Sequence, residues 1–136
     1  MLYLDSAAIV KLVHSEPESE TLRAWLAERA ETGWVSSVLA EVESFRALAR
    51  HSPGAVSRLP PVLDLIEMVE IDQAIRIAAQ TVAPAAVRSL DAIHLVTALR
   101  LGEQMTSFVT YDKRLADAAQ AAGLTVDMPA KQLGAA

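Results

Sequence analysis

Residues 1–13, MLYLDSAAIVKLV, decide the fold. Leu2 to Leu4 is an apolar run without polar alternation, as expected of a short strand buried on both faces. Asp5-Ser6 supplies a turn with a capping residue. Ala7 to Val13 then suits a helix that ends near Ser15-Glu16-Pro17. A strand feeding straight into a helix is the opening half of a β-α-β unit, and the rest of the chain is read for further units of the same kind.

They follow in order. Glu18 to Ala30 places Leu22, Trp25, Leu26 and Ala30 on one helical face. After Gly33, Trp34-Val35 is a minimal strand, Ser36 or Ser37 is a suitable N-cap, and Val38 to Arg50 forms a long helix up to the Ser52-Pro53-Gly54 break. Ala55 to Glu67 is expected to be helical, with Pro60-Pro61 starting or bending it. Met68 to Ile71 is the next strand, and Asp72 caps a helix running to about Val82. Ser89 to Leu101 is apolar on nearly every side, a helix buried by its neighbours, and Gly102 ends it. Ser107 to Thr110 is a strand, Asp112 to Ala122 a helix with Gly123 in the C′ position, and Leu124 to Val126 a short last strand. The expectation is a three-layer α/β/α domain over residues 1–127, with a short parallel sheet of four to five strands. Residues 128–136 form a loosely held tail.

Composition bounds the function. The chain has 136 residues, 52% hydrophobic and 21% charged, enough apolar surface for one packed core and too much for a disordered linker. The absence of Cys excludes disulfides, Cys-ligated zinc and a thiol nucleophile. With 12 Lys+Arg against 17 Asp+Glu, a net charge of −5 argues against a broad basic surface for nucleic acid. Asp5 and Lys11 interrupt the N-terminal apolar run well short of the ~20 residues a bilayer span needs, so a soluble, cytoplasmic protein is expected.

The position of the acids matters more than their number. In open parallel sheets, ligands bind beyond the carboxyl ends of the strands, where strand order reverses. Asp5 lies directly after the first strand and Asp112 two residues beyond Thr110 in the fourth, while Asp91 opens the most apolar helix. Glu41 and Glu43 sit two residues apart, hence on different faces of their helix, and spacing does not choose between them. Converging carboxylates repel one another and resist ionisation. A hard divalent cation such as Mg²⁺ or Mn²⁺ relieves that repulsion and supports phosphodiester hydrolysis without a Ser, Cys or His nucleophile. Taken singly, each acid is equally compatible with a strand end, a helix cap or a solvated face.

Four segments together resemble the PIN-domain nucleases, most closely the VapC-type toxins of bacterial toxin–antitoxin pairs. YLDSAAIVKLVHSEPES (3–19) resembles the family's start, and VSSVLAEVESFRAL (35–48) its second motif; LDAIHLVTAL (90–99) and FVTYDKRLADAA (108–119) resemble the segments that carry its third and fourth acids. Aligned on Ser37 and Arg46-Ala47-Leu48, the family's acidic position falls on Glu43. The resemblance implies a Mg²⁺- or Mn²⁺-dependent endoribonuclease in which Asp5, Glu43, Asp91 and Asp112 hold the metal, and Ser6 and Thr110 are supporting hydroxyls. It also implies a cognate VapB-type antitoxin and a homodimer. Lys113, Arg114, Arg46 and Arg88 lie near the acids in sequence and are candidates for contact with RNA phosphates. His94 reads as a hydrogen-bonded core residue.

Two other functions compete. A phosphoacceptor signalling domain wants an acidic pair after the first strand, whereas Asp5 stands alone, and a Lys after the last strand, where this chain has Asp127-Met128-Pro129. A non-catalytic interaction module would use the four acids as caps and solvated charge.

Overall fold

The computed structural model describes residues 1–131. Five strands, β1 (Leu2–Leu4), β2 (Trp34–Ser37), β3 (Ile66–Val69), β4 (Ser107–Val109) and β5 (Val126–Asp127), form one parallel sheet in the order β3-β2-β1-β4-β5. Seven helices pack around it: α1 (Ser6–Val13), α2 (Ser19–Ala27), α3 (Leu39–His51), α4 (Leu59–Leu63), α5 (Gln73–Thr81), α6 (Ser89–Arg100) and α7 (Lys113–Ala121). The expected three-layer α/β/α architecture is therefore what the chain adopts.

Side-chain alternation along β1 divides the core. Leu2 and Leu4 join Ala8, Ile9, Leu22, Leu48 and Leu59 on the face covered by α1 to α4. Tyr3 points the other way, to Leu95, Phe108, Leu115 and Ala119 under α6 and α7. All three β1 residues are fully buried, which explains the uninterrupted apolar run.

Strand order reverses at β1, which has β2 on one side and β4 on the other. The register pairs Leu4 with Val109, so the residues after those two, Asp5 and Thr110, emerge side by side at the carboxyl ends.

Several boundaries differ from the sequence expectation, β2 reaching Ser37 and α2 ending at Ala27 among them. β3 lies two residues earlier than Met68–Ile71, because β2 runs four residues and pairs Trp34 with Ile66 through Ser37 with Val69. Glu67 obscured this, yet β3 is an edge strand and Glu67 faces solvent. The Ala55–Glu67 helix is instead a 3₁₀ segment, Pro53–Arg58, followed by α4, with Pro60 and Pro61 in its first turn, where missing N–H groups are tolerated. Leu124 belongs to the end of α7 rather than to β5: its N–H reaches Ala119 O at 3.0 Å and the Gly123 N–H reaches Gln120 O at 3.0 Å, the paired bonds of a Schellman cap. Of the expected tail, Pro129 is buried and its carbonyl accepts from Tyr111 Oη at 2.7 Å; residues 132–136 lie outside the described residues.

Gly123 has φ +94 with nothing within 4 Å of an added Cβ. Gly123→Ala is therefore expected to destabilise the protein by ~1–2 kcal/mol through backbone conformation alone, read as a lower midpoint in urea at unchanged slope.

Candidate metal centre

Asp5 terminates β1 and caps α1 in one step. Its extended backbone lets Oδ1 accept from Ala8 N at 2.9 Å, while Oδ2 accepts from Thr110 Oγ1 at 2.5 Å. Only 4% of the residue is exposed. Burial pushes its carboxyl above the usual range, against the opposing pull of the Thr110 and Ala8 hydrogen bonds. Among the described residues no Lys or Arg forms an ion pair with it.

Thr110 links this carboxylate to the next. Its Oγ1 accepts from Asp112 N at 3.1 Å, and Asp112 Oδ1 caps α7 through Arg114 N at 2.9 Å and Leu115 N at 3.2 Å. Asp112 Oδ2 faces Arg88 Nη2 at 3.2 Å, and Arg88 Nε lies 3.4 Å from Asp91 Oδ2. One guanidinium thus stands between two carboxylates. Burial, then the charge of Asp112, holds the Asp91 carboxyl above the usual range, with Arg88 opposing.

Of the glutamates on α3, Glu43 turns inward and Glu41 outward. Glu41 lines an external groove with Val42, Phe45 and Leu63. Glu43 Oε1 accepts from His94 Nε2 at 2.5 Å. The expectation that His94 is a hydrogen-bonded core residue is met, but its partner is one of the four acids.

The remaining sequence candidates separate clearly. Arg88 and Arg114 line, with Asp91, a groove of about 350 Å³ beside the acids. Arg46 lies on the outer groove with Glu41 and Phe45, facing Leu59 and Pro60 of the next segment. Lys113 is exposed at the start of α7. Ser6 opens α1 and lines a groove between α1 and α3 with Ala7, Val10 and Ala47. Sequence reading missed Tyr3, whose hydroxyl is joined to His94 Nδ1 at 2.7 Å; a phenol inside a buried strand needs a polar partner, and that requirement was the available signal. Lys11, in the last turn of α1, holds Glu16 and Glu18 at 2.5 and 3.0 Å and lies over the Tyr111 ring.

The donor set is all oxygen, hard and anionic, and among the described residues its most buried member has no Lys or Arg ion pair, so its chemistry fits Mg²⁺ or Mn²⁺. As placed, no three acidic or imidazole side chains among the described residues form a closed ligand set. Arg88 and His94 hold three of the four acids.

Residues 2–121 match the PIN domain family. The chain is 45% identical over 131 residues to "Ribonuclease VapC35" of Mycobacterium tuberculosis (strain ATCC 25618 / H37Rv), covering 95% of this chain and 97% of the relative. Its fold is similar to that of the crystal structure of Mycobacterium tuberculosis VapC20, described as a sarcin-ricin loop cleaving toxin, with TM-score 0.74 at 13% identity over 92% of this chain and 97% of that one. It is also similar to a chain of a toxin–antitoxin complex from Klebsiella pneumoniae, with TM-score 0.71 at 17% identity over 97% and 100% of the two chains.

Because the folded-state carboxyl of Asp5 is raised, the folded protein holds that proton more tightly than the unfolded chain. Stability contributed by Asp5 is then lost as pH rises from the ordinary value near ~4 through the raised one. Asp5→Asn should accordingly have a higher Tm than the parent protein in excess chelator at pH 7.5, and the difference should shrink toward pH 4.5. A difference that does not change with pH would contradict this.

Proposed function

The chain belongs to the PIN domain family, and from that premise we propose that it is a divalent-metal-dependent endoribonuclease, the toxin of a toxin–antitoxin pair. The observation that carries the reading is Asp5: a carboxylate buried at the reversal of strand order, without a Lys or Arg ion pair among the described residues, that feels the charge of Glu43 and is joined through Thr110 to Asp112. The ribonuclease named above, similar along nearly its whole length, supports RNA as the substrate class.

In this reading Asp5, Glu43, Asp91 and Asp112 hold Mg²⁺ or Mn²⁺, with Asp5 and Asp91 as direct ligands. When bound, the ion supplies activation of water and screening of phosphate charge. The chain supplies the rest. Thr110 donates a hydrogen bond to Asp5 and so fixes one carboxylate oxygen, leaving the Asp5–Asp112 spacing set by the ends of β1 and β4. Ser6 offers a hydroxyl one residue further on. Arg88 and Arg114 flank a groove that leads to Asp91, and guanidinium groups grip phosphate oxygens in pairs. Lys113 adds charge on the same helix end; Arg46 is the outlying RNA contact.

Residues 1–127 act as a single nuclease domain in the cytoplasm. No helix among the described residues is long and apolar enough to cross a membrane. Val42, Phe45 and Leu65 are exposed apolar side chains, surface suited to a VapB-type antitoxin or to the second copy of a homodimer.

Asp5→Asn and Asp91→Asn are each expected to lower cleavage of a single-stranded RNA by more than the ~10–100-fold typical of changes outside the ligand shell, with unchanged circular dichroism. Cleavage that continued in excess chelator, or in both variants, would sink the nuclease reading. Arg88→Ala separates two roles: Mn²⁺ affinity should rise as the competing cation leaves, while RNA affinity falls and its salt dependence drops by about one phosphate contact. Calorimetric Mn²⁺ titration and RNA binding at several salt concentrations read the two effects.

A further inference from the structure

Three of the four acids are held by backbone or by short links to it. Asp5 and Asp112 each accept from backbone N–H groups as helix caps, and Asp91 sits in the first turn of α6. Glu43 has no such anchor. It projects from the second turn of α3 on a side chain with three rotatable bonds, half-buried, and among the described residues its one ion-pair partner is His94.

His94 is unusually well fixed. It is 2% exposed, and both ring nitrogens are engaged, Nε2 with Glu43 Oε1 and Nδ1 with Tyr3 Oη. Rotating the ring by half a turn would break both bonds and leave buried polar atoms unpaired. Tyr3 is held in turn by the sheet: its ring stacks on Phe108 at 5.0 Å with the planes 10° apart, and meets the imidazole edge-on at 5.8 Å. Tyr3 and Phe108 are register partners across β1 and β4. A carboxylate oxygen can only accept, so Nε2 carries a hydrogen toward Glu43 whether the ring is neutral or protonated. The bond uses Oε1 and leaves Oε2 available.

We propose that His94 is a positioning residue: the Tyr3–His94–Glu43 chain transmits the rigid geometry of the β1–β4 pair to Glu43 and holds Glu43 in place for the metal centre. The inference rests on the reading of Glu43 as a metal ligand. It assigns α6 two tasks one turn apart, since Asp91 and His94 are three residues apart on the same helix. It also distinguishes Glu43, which meets the imidazole, from Glu41, which lines the outer groove.

The test is Mn²⁺ affinity by calorimetry, together with RNA cleavage, in five variants whose folding is checked by thermal denaturation. His94→Leu removes the donor and should weaken Mn²⁺ binding ~10–100-fold. His94→Gln, whose amide nitrogen lies about as far from the backbone as Nε2, should stay within a few-fold of the parent. Tyr3→Phe removes the lock on Nδ1 and should fall between the two. Glu43→Gln should weaken binding at least as much as His94→Leu, and adding His94→Leu to it should change little further, because the two act through one carboxylate. Equal loss in His94→Leu and His94→Gln would reduce His94 to a core filler and overturn the inference. So would parental affinity in His94→Leu with weakened affinity in Glu43→Gln, an outcome that leaves Glu43 a ligand. Parental affinity in Glu43→Gln would instead remove Glu43 from the ligand set and take the inference with it. If His94→Leu does not fold, the comparison of His94→Gln with Tyr3→Phe decides: affinity lost in His94→Gln and kept in Tyr3→Phe overturns it.

Discussion

The hydrogen bond from Thr110 to Asp5 is the constraint on which the site depends. It joins the carboxyl ends of two neighbouring parallel strands at the one place where strand order reverses. A carboxylate buried to that degree is unfavourable in an apolar interior, and two short donors offset only part of the penalty. The fold tolerates it because Asp5 also begins α1, so one residue ends a strand, caps a helix and ties β1 to β4 through Thr110. Lengthening β1 by one residue would carry Asp5 to the opposite side of the sheet and break all three functions together.

From that bond the anchoring of the other acids divides by element. Strand ends present Asp5 and Asp112 with backbone precision, because each capping carboxylate commits one oxygen to N–H groups, while the other meets Thr110 in Asp5 and Arg88 in Asp112. Helical acids have no such restraint. Asp91 and Glu43 reach the same region from α6 and α3, and each is met by a side chain from another element or an earlier turn, Arg88 for the one and His94 for the other. A carboxylate on a flexible stem loses rotamer entropy on being fixed, so a preorganised partner is the economical way to hold it.

Much of this was legible in the sequence, and the reasons differ from residue to residue. The fold was readable because β1 and β4 are short, apolar and followed at once by Asp5 and Thr110, which a doubly covered parallel sheet requires. β3 was misplaced by two residues because Glu67 breaks its apolar pattern, and only the pairing with Trp34–Ser37 reveals an edge strand with one face outward. The Glu41–Glu43 ambiguity could not be resolved by helical periodicity. The structure separates the two by a buried histidine from α6, 51 residues away in sequence, which meets Glu43, while Glu41 lines the outer groove. Arg88 stood among RNA contacts, whereas its two-carboxylate bridge depends on how the segment before α6 approaches α7, which no local pattern encodes.

The net charge of −5 first argued against a nucleic-acid partner. The structure relocates that argument. Asp91 and Asp112 share Arg88, and their mutual repulsion is relieved at that point rather than by the surface as a whole. Arg88 performs part of that relief, but its side chain is 68% exposed, and an exposed guanidinium is a weak, salt-sensitive counter-charge. In the proposed reading a divalent cation would carry twice the charge, would compete with Arg88 for Asp91 and Asp112, and would leave the arginine to the groove it already lines with Arg114. On that reading the acidic balance and the capacity to meet a polyanion are one property: the acids would concentrate positive charge where the backbone of the substrate passes, and the rest of the surface stays free of non-specific attraction.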